Sequence, residues 1–165
     1  MPLHDEIDQG PELIVRESVG SDVPYLAQRL RLEDMAEIAA ATGEKPVVAL
    51  GRGFADSTPC YTAEFRGKPA AMFGIIPSDL EFARFGSIWL LGTDEIGVFR
   101  KQFMRQSRAW IDRLSEGYDC IGNVVDARNL RHVLWLRRME FHFLRKIPHY
   151  GKLGLPFYEF TKVVS

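Results

Sequence analysis

Four basic side chains, Arg100, Lys101, Arg105 and Arg108, fall within nine residues at a spacing that makes a cationic face on a helix. Such a face suits a phosphate-bearing ligand, nucleic acid or an acidic partner, and ordinary solvated helix arginines have the same look. Asn129 follows a strand-like run, Tyr118 to Val125, where an asparagine side chain can cap a helix start. The histidines His4, His132, His142 and His149 are too scattered for a metal site. Cys60 and Cys120 share no ligand or redox spacing and are expected as small buried hydrophobes in a reducing compartment. Leu50-Gly-Arg-Gly-Phe54 looks like a phosphate loop, but no third glycine or Lys-Ser/Thr follows, so a turn is expected. Glu64, on a strand-like run, is expected to face solvent. No metal site is expected, and no catalytic residue is assigned.

Charge is uneven along the chain. Residues 1–50 hold ten acidic and four basic side chains, whereas 98–152 hold twelve basic and five acidic ones, although the net charge is only −1. A length of 165 residues with 46% hydrophobic and 26% charged side chains suits one globular domain that needs neither disulfide nor metal. The expected organisation is a flexible arm over 1–10 and a single domain over 11–165. The arm, polar and acidic, does not resemble a secretory signal, and no apolar run reaches the length of a membrane span.

The elements that must position these residues follow from patterning. Leu13-Ile14-Val15 suits a first strand, and Asp22 before Val23-Pro24 suits a helix start with a capping side chain. Leu26, Leu30, Met35 and Ile38 extend over two helical pieces joined at the polar Leu32-Glu33-Asp34 junction, ending at Thr42-Gly43. Residues 60–66 and 69–76 read as a hairpin, 77–86 as a loop and 87–91 as a central strand. Ile96, Phe99, Phe103, Trp110 and Leu114 mark the apolar stripe of the next helix. A strand over 118–125, a helix from Asp126 to Arg138, and strands over 141–144 and 157–164 around a 148–156 loop complete the chain. The class is α/β (an α+β mixed sheet) in the order β-α-α-β-β-β-α-β-α-β-β.

This order, with Asn129 opening the helix and Phe141 twelve residues later, resembles the GNAT N-acetyltransferases, in which a Gly-Phe pair ends that interval; here Glu140 replaces the glycine. Tyr118-Asp119, Asn123, Val125, Asn129, His132, Trp135, Leu136 and Phe141 together resemble the internal virion protein A family of short-tailed bacteriophages. The resemblance implies a GNAT-like fold and, in an active member, acyl-CoA held by a glycine-bearing loop after the fourth strand and by the asparagine. This chain departs at both ends of that machinery. Asp94 and Glu95 stand where a pyrophosphate would sit, with Arg100 and Lys101 one turn later as a partial offset. Leu136 stands where a tyrosine would protonate the CoA thiolate, and spacing does not bring in Tyr150 or Tyr158 instead.

The expectation is therefore a phage-encoded, catalytically degenerate GNAT-fold protein acting as a virion or virion-assembly component, without a cofactor. It would work in the bacterial host cytoplasm during assembly, and in the virion if it stays there, among other phage virion proteins or copies of itself. The alternative is an acetyl-CoA-dependent N-acetyltransferase with an atypical CoA loop, using Asn129, Arg100 and Lys101 on the cofactor. Nucleic-acid binding through Arg100, Lys101, Arg105 and Arg108 is a third option, set against the small net charge.

Overall fold

In the computed structural model, which describes residues 13–165, strands β1 (Leu13–Glu17), β2 (Cys60–Phe65), β3 (Lys68–Leu80), β4 (Ala83–Gly92), β5 (Cys120–Asp126), β6 (His142–Tyr150) and β7 (Leu155–Val163) form one mixed sheet in the order β1-β2-β3-β4-β5-β7-β6. The arm expected over 1–10 lies outside the described residues. Helices α1 (Asp22–Ala27), α2 (Leu32–Ala41) and α3 (Pro46–Asp56) precede β2; α4 (Arg100–Ser115) and α5 (Leu130–Arg138) follow β4 and β5. Strand alternation divides the core between the two sheet faces. Ile88 and Leu90 of β4 join the cluster holding Ile111, Leu114, Val133 and Leu136 of α4 and α5. Trp89 and Leu91 join Leu26 and Leu50 of α1 and α3. Among the described residues no helix is long and apolar enough to cross a membrane.

The expected α/β mixed sheet is present, with several corrections. Three helices, not two, lie between β1 and β2, and residues 50–54 belong to α3 instead of a turn. Pro46 pre-sets the first turn of α3. Gly53 serves packing: a Cβ there would lie 2.7 Å from the Trp89 ring, so the glycine admits the indole, whose Nε1 donates to Ser57 Oγ at 2.7 Å. Residues 77–86 are not a loop but the outer part of the β3–β4 hairpin, with Pro77 opposite Gly86. Ile75 spends its N–H and C=O on Pro59 and Thr58, away from β4, so by alternation Pro77 also lacks its N–H on the side away from β4. Ile96 and Phe99 precede α4, in a 3-10 turn (Asp94–Gly97) and at the helix cap. Asp22 does not cap α1. Its carboxylate accepts from the Arg16 guanidinium at 2.8 Å, Thr62 Oγ1 at 2.9 Å and Val19 N–H at 2.9 Å. Glu64 is half-buried on Arg16 Nε at 2.7 Å, not simply solvent-facing. Both cysteines are free and half-buried. The β6–β7 turn is shorter than expected, since β6 reaches Tyr150 and β7 starts at Leu155.

β4 and β5 run parallel and pair only at Phe85–Cys120, Gly86–Ile121 and Ser87–Gly122, after which they diverge into a wedge. Asn123 closes its vertex, Nδ2 donating to the Ile88 carbonyl at 3.0 Å and Oδ1 accepting from Val124 N–H at 2.8 Å. Gly122 holds β5 close to β7, because a Cβ there would lie 2.3 Å from the Phe160 carbonyl oxygen. The clash is with backbone, so Gly122→Ala is expected to lower stability by ~1–3 kcal/mol. A thermal midpoint unchanged in that variant would contradict the close β5–β7 approach.

Candidate functional site

The wedge faces a polar cluster built by α2. Gly92, the last residue of β4, directs both backbone groups toward the wedge, its carbonyl accepting from Arg31 N–H and its N–H donating to Asp34 Oδ2, both at 2.9 Å. The same alternation points the N–H and C=O of Leu90 into the gap. Asp34 Oδ1 accepts from Asn129 Nδ2 at 3.4 Å, so one carboxylate ties the end of β4 to the start of α5. Arg31 completes the bridge with a 3.0 Å ion pair to Asp34. Asp34 is 0% exposed, Asn129 3% and Arg31 8%, so the bridge is shut away from water.

Glu37, one turn further along α2, reaches the other arm, accepting from Asp126 N–H at 2.6 Å. Burial, reinforced by the Asp34 and Asp126 carboxylates, pushes the Glu37 carboxyl up to about 8, against the opposing pull of the Asp126 N–H and of Arg31. Asp126 itself is buried and paired with Arg128 at 2.7 Å. Asp126 does not start the helix as expected. It ends β5, and Asn129 is the N-cap of α5, its Oδ1 accepting from His132 N–H at 3.4 Å.

Beside the wedge, an open cleft of about 420 Å³ runs between α5 and the start of α4. Arg31, Arg100, Arg131 and Arg138 line its walls with no carboxylate among them; Leu90, Phe103, Met104 and Trp135 supply apolar surface. Phe103 and Trp135 stack at 6.1 Å, and Trp135 Nε1 donates to Ser107 Oγ at 3.2 Å. His132 also lines the cleft and packs on Trp135 at 5.7 Å. Its Nδ1 is enclosed and without a hydrogen-bond partner, and burial lowers the ring to about 4, so it is neutral at pH 7.

Of the three residues expected at a cofactor, only Arg100 lines this cleft. Lys101 is exposed outside it, and both ends of the Asn129 side chain are committed to protein partners. Asp94 and Glu95 are exposed, and the amide of Glu95 is already taken by Thr93 Oγ1 at 3.3 Å. Leu136 is buried in the core, and neither Tyr150 nor Tyr158 lines the cleft. No group of metal-ligating side chains occurs among the described residues. Arg31, Asp34 and Glu37 were not legible as site residues beyond the polar junction at 32–34. Their common three-residue spacing, between the buried Leu30 and Ile38, was the available signal.

No family model and no curated protein matches the sequence. The structure is similar to solved acetyltransferases. A GCN5-related N-acetyltransferase from Kribbella flavida aligns with a TM-score of 0.66 at 17% identity, covering 92% of this chain and 98% of that one. An aminoglycoside acetyltransferase in complex with coenzyme A aligns at 0.65 and 14%, covering 92% and 95%. A spermidine N-acetyltransferase from Vibrio cholerae, in complex with CoA and spermine, aligns at 0.63 and 12%, with the same coverage. At these identities the likeness is one of fold: the chain has the mixed-sheet fold of the GNAT acetyltransferases.

Proposed function

We propose that this chain, a protein with the GNAT fold, serves as a structural component in bacteriophage virion assembly and does not perform acetyl transfer. The observation that supports the loss of chemistry is the buried Asp34 bridge across the β4–β5 wedge. An acyl-pantetheine arm lying between these strands needs the backbone groups of β4 that face the gap, and those of Gly92 are taken by Arg31 and Asp34. With Gly92 committed, the wedge as it stands leaves only the Leu90 backbone of β4 to such an arm. Freeing Gly92 breaks two buried hydrogen bonds, one of them to a carboxylate, at a combined cost of roughly 2–4 kcal/mol, or about 30- to 10³-fold in affinity. Leu136 adds to the argument, since an alkyl side chain cannot protonate a leaving thiolate. The phage assignment rests on the residue pattern from Tyr118 to Phe141. The partners in this reading are other virion proteins or further copies of the chain, met in the host cytoplasm.

A second reading, an acetyl-CoA-dependent N-acetyltransferase, is favoured by the arginine-lined cleft beside the wedge. Arg100, Arg131 and Arg138 would hold the phosphates of acetyl-CoA, with the Leu90 backbone facing its arm. Thermal unfolding with 1 mM acetyl-CoA separates the two. The structural reading expects no shift. A ligand with a dissociation constant near 10 μM would add ~2.7 kcal/mol, a rise of ~5–10 °C, and such a rise would overturn it.

A further inference from the structure

We infer that the α4–α5 face is a binding surface for single-stranded nucleic acid. α4 carries five basic side chains and one acid, Asp112, and α5 carries three basic side chains and no acid. Arg100, Phe103 and Met104 of α4 and Arg131, Trp135 and Arg138 of α5 recur at helical spacing around one cleft. Lys101, Arg105 and Arg108 form an adjoining exposed stripe on α4. Arg108 joins the two helices by donating to the Arg138 carbonyl at 2.8 Å. Among the described residues Arg100, Lys101, Arg105, Arg131 and Arg138 form no salt bridge, and the pair from Arg108 to Glu140 is exposed at both ends.

The extent of the charge favours a polymer. The exposed stripe from Lys101 to Arg108 adds ~10 Å of cationic surface alongside the cleft, so positive groups are offered in succession, as a chain of phosphodiesters requires. The cleft itself pairs guanidinium groups with the half-buried rings of Phe103 and Trp135, the combination that takes a phosphodiester backbone together with a flat base. The net charge of −1 does not cancel this surface, because at physiological salt the field of distant carboxylates is screened beyond ~8 Å.

The test is fluorescence anisotropy of a labelled 20-nucleotide single strand with the full chain. Contacts to roughly four phosphates predict a salt slope near −2.8, so affinity should fall about 50-fold between 50 and 200 mM salt. The triple variant Arg100→Ala, Arg131→Ala, Arg138→Ala should bind at least tenfold more weakly. Arg84→Ala, an exposed change on the β3–β4 hairpin, should bind as the parent does. Circular dichroism and the thermal midpoint confirm that both variants are folded. Three results would each overturn the inference: no binding at 50 mM salt, undiminished binding by a folded triple variant, or equal binding of polyglutamate, which would mark an acidic protein partner instead. Acetyl-CoA and the strand are measured separately, so this outcome and that of the proposed function are read independently.

Discussion

Asp34→Ala is expected to lower stability by about 3–5 kcal/mol, equivalent to ~6–20 °C in the thermal midpoint of a domain this size. The carboxylate is wholly buried and has three partners: the Arg31 guanidinium, the Gly92 N–H and the Asn129 amide. Its removal leaves a buried cation unpaired and two donors without an acceptor, which costs more than the pair contributes when intact. Asp34→Asn keeps the shape but not the charge, so a loss of similar sign and smaller size is expected. Urea denaturation measures both. A midpoint for Asp34→Ala within error of the parent would mean that the wedge is not held by this bridge. The bridge also ties stability to the proposed loss of chemistry, since the group that stabilises the domain is the one that fills the mouth of the wedge.

The second large effect is a decline in stability of roughly 2 kcal/mol between pH 6.5 and 8, removed by Glu37→Gln. The folded-state carboxyl of Glu37 is raised from 4.5 to about 8. Folded protein therefore holds a proton that unfolded protein releases between these values. The contribution of Glu37 is complete below about 4.5 and is lost as pH rises through 8. His132 acts in the opposite sense. Its folded value is lowered from 6.5 to about 4, so its contribution is present above 6.5 and is lost as pH falls toward 4. The two slopes oppose one another between about 4.5 and 6.5, leaving Glu37 alone to set the fall above 6.5. A glutamine retains the acceptor for Asp126 N–H and has nothing to ionise. The variant should lie within about 1 kcal/mol of the parent at pH 5 and exceed it by a few kcal/mol at pH 9. Chemical denaturation across pH 5–9 checks both, and parallel parent and variant profiles would show that Glu37 does not titrate in the folded core.

The expected class and most strand and helix positions followed from local patterning, because periodicity records which face of an element is buried. The strand expected over 118–125 lies at 120–126 for the same reason, and Asn129 was legible as a capping side chain, although the helix was expected to start three residues earlier, at Asp126. The resemblance in the 118–141 segment implied the fold that the solved acetyltransferases share.

What only the tertiary structure decided is where polar groups of distant segments meet. Asp34 bonds to residues 58 and 95 positions away, and Glu37 to one 89 positions away. Within α2 those side chains look like a solvated junction, because hydrogen bonding across such separations leaves no local period. Gly53 shows the same limit: its helix was hidden because the reason for the glycine, the Trp89 ring, lies on another strand. The sequence by itself determined a mixed α/β chain with one cationic helix, because periodicity and charge are local properties. The fold alone decided that four arginines would line one cleft beside a wedge whose mouth is held shut by a buried carboxylate.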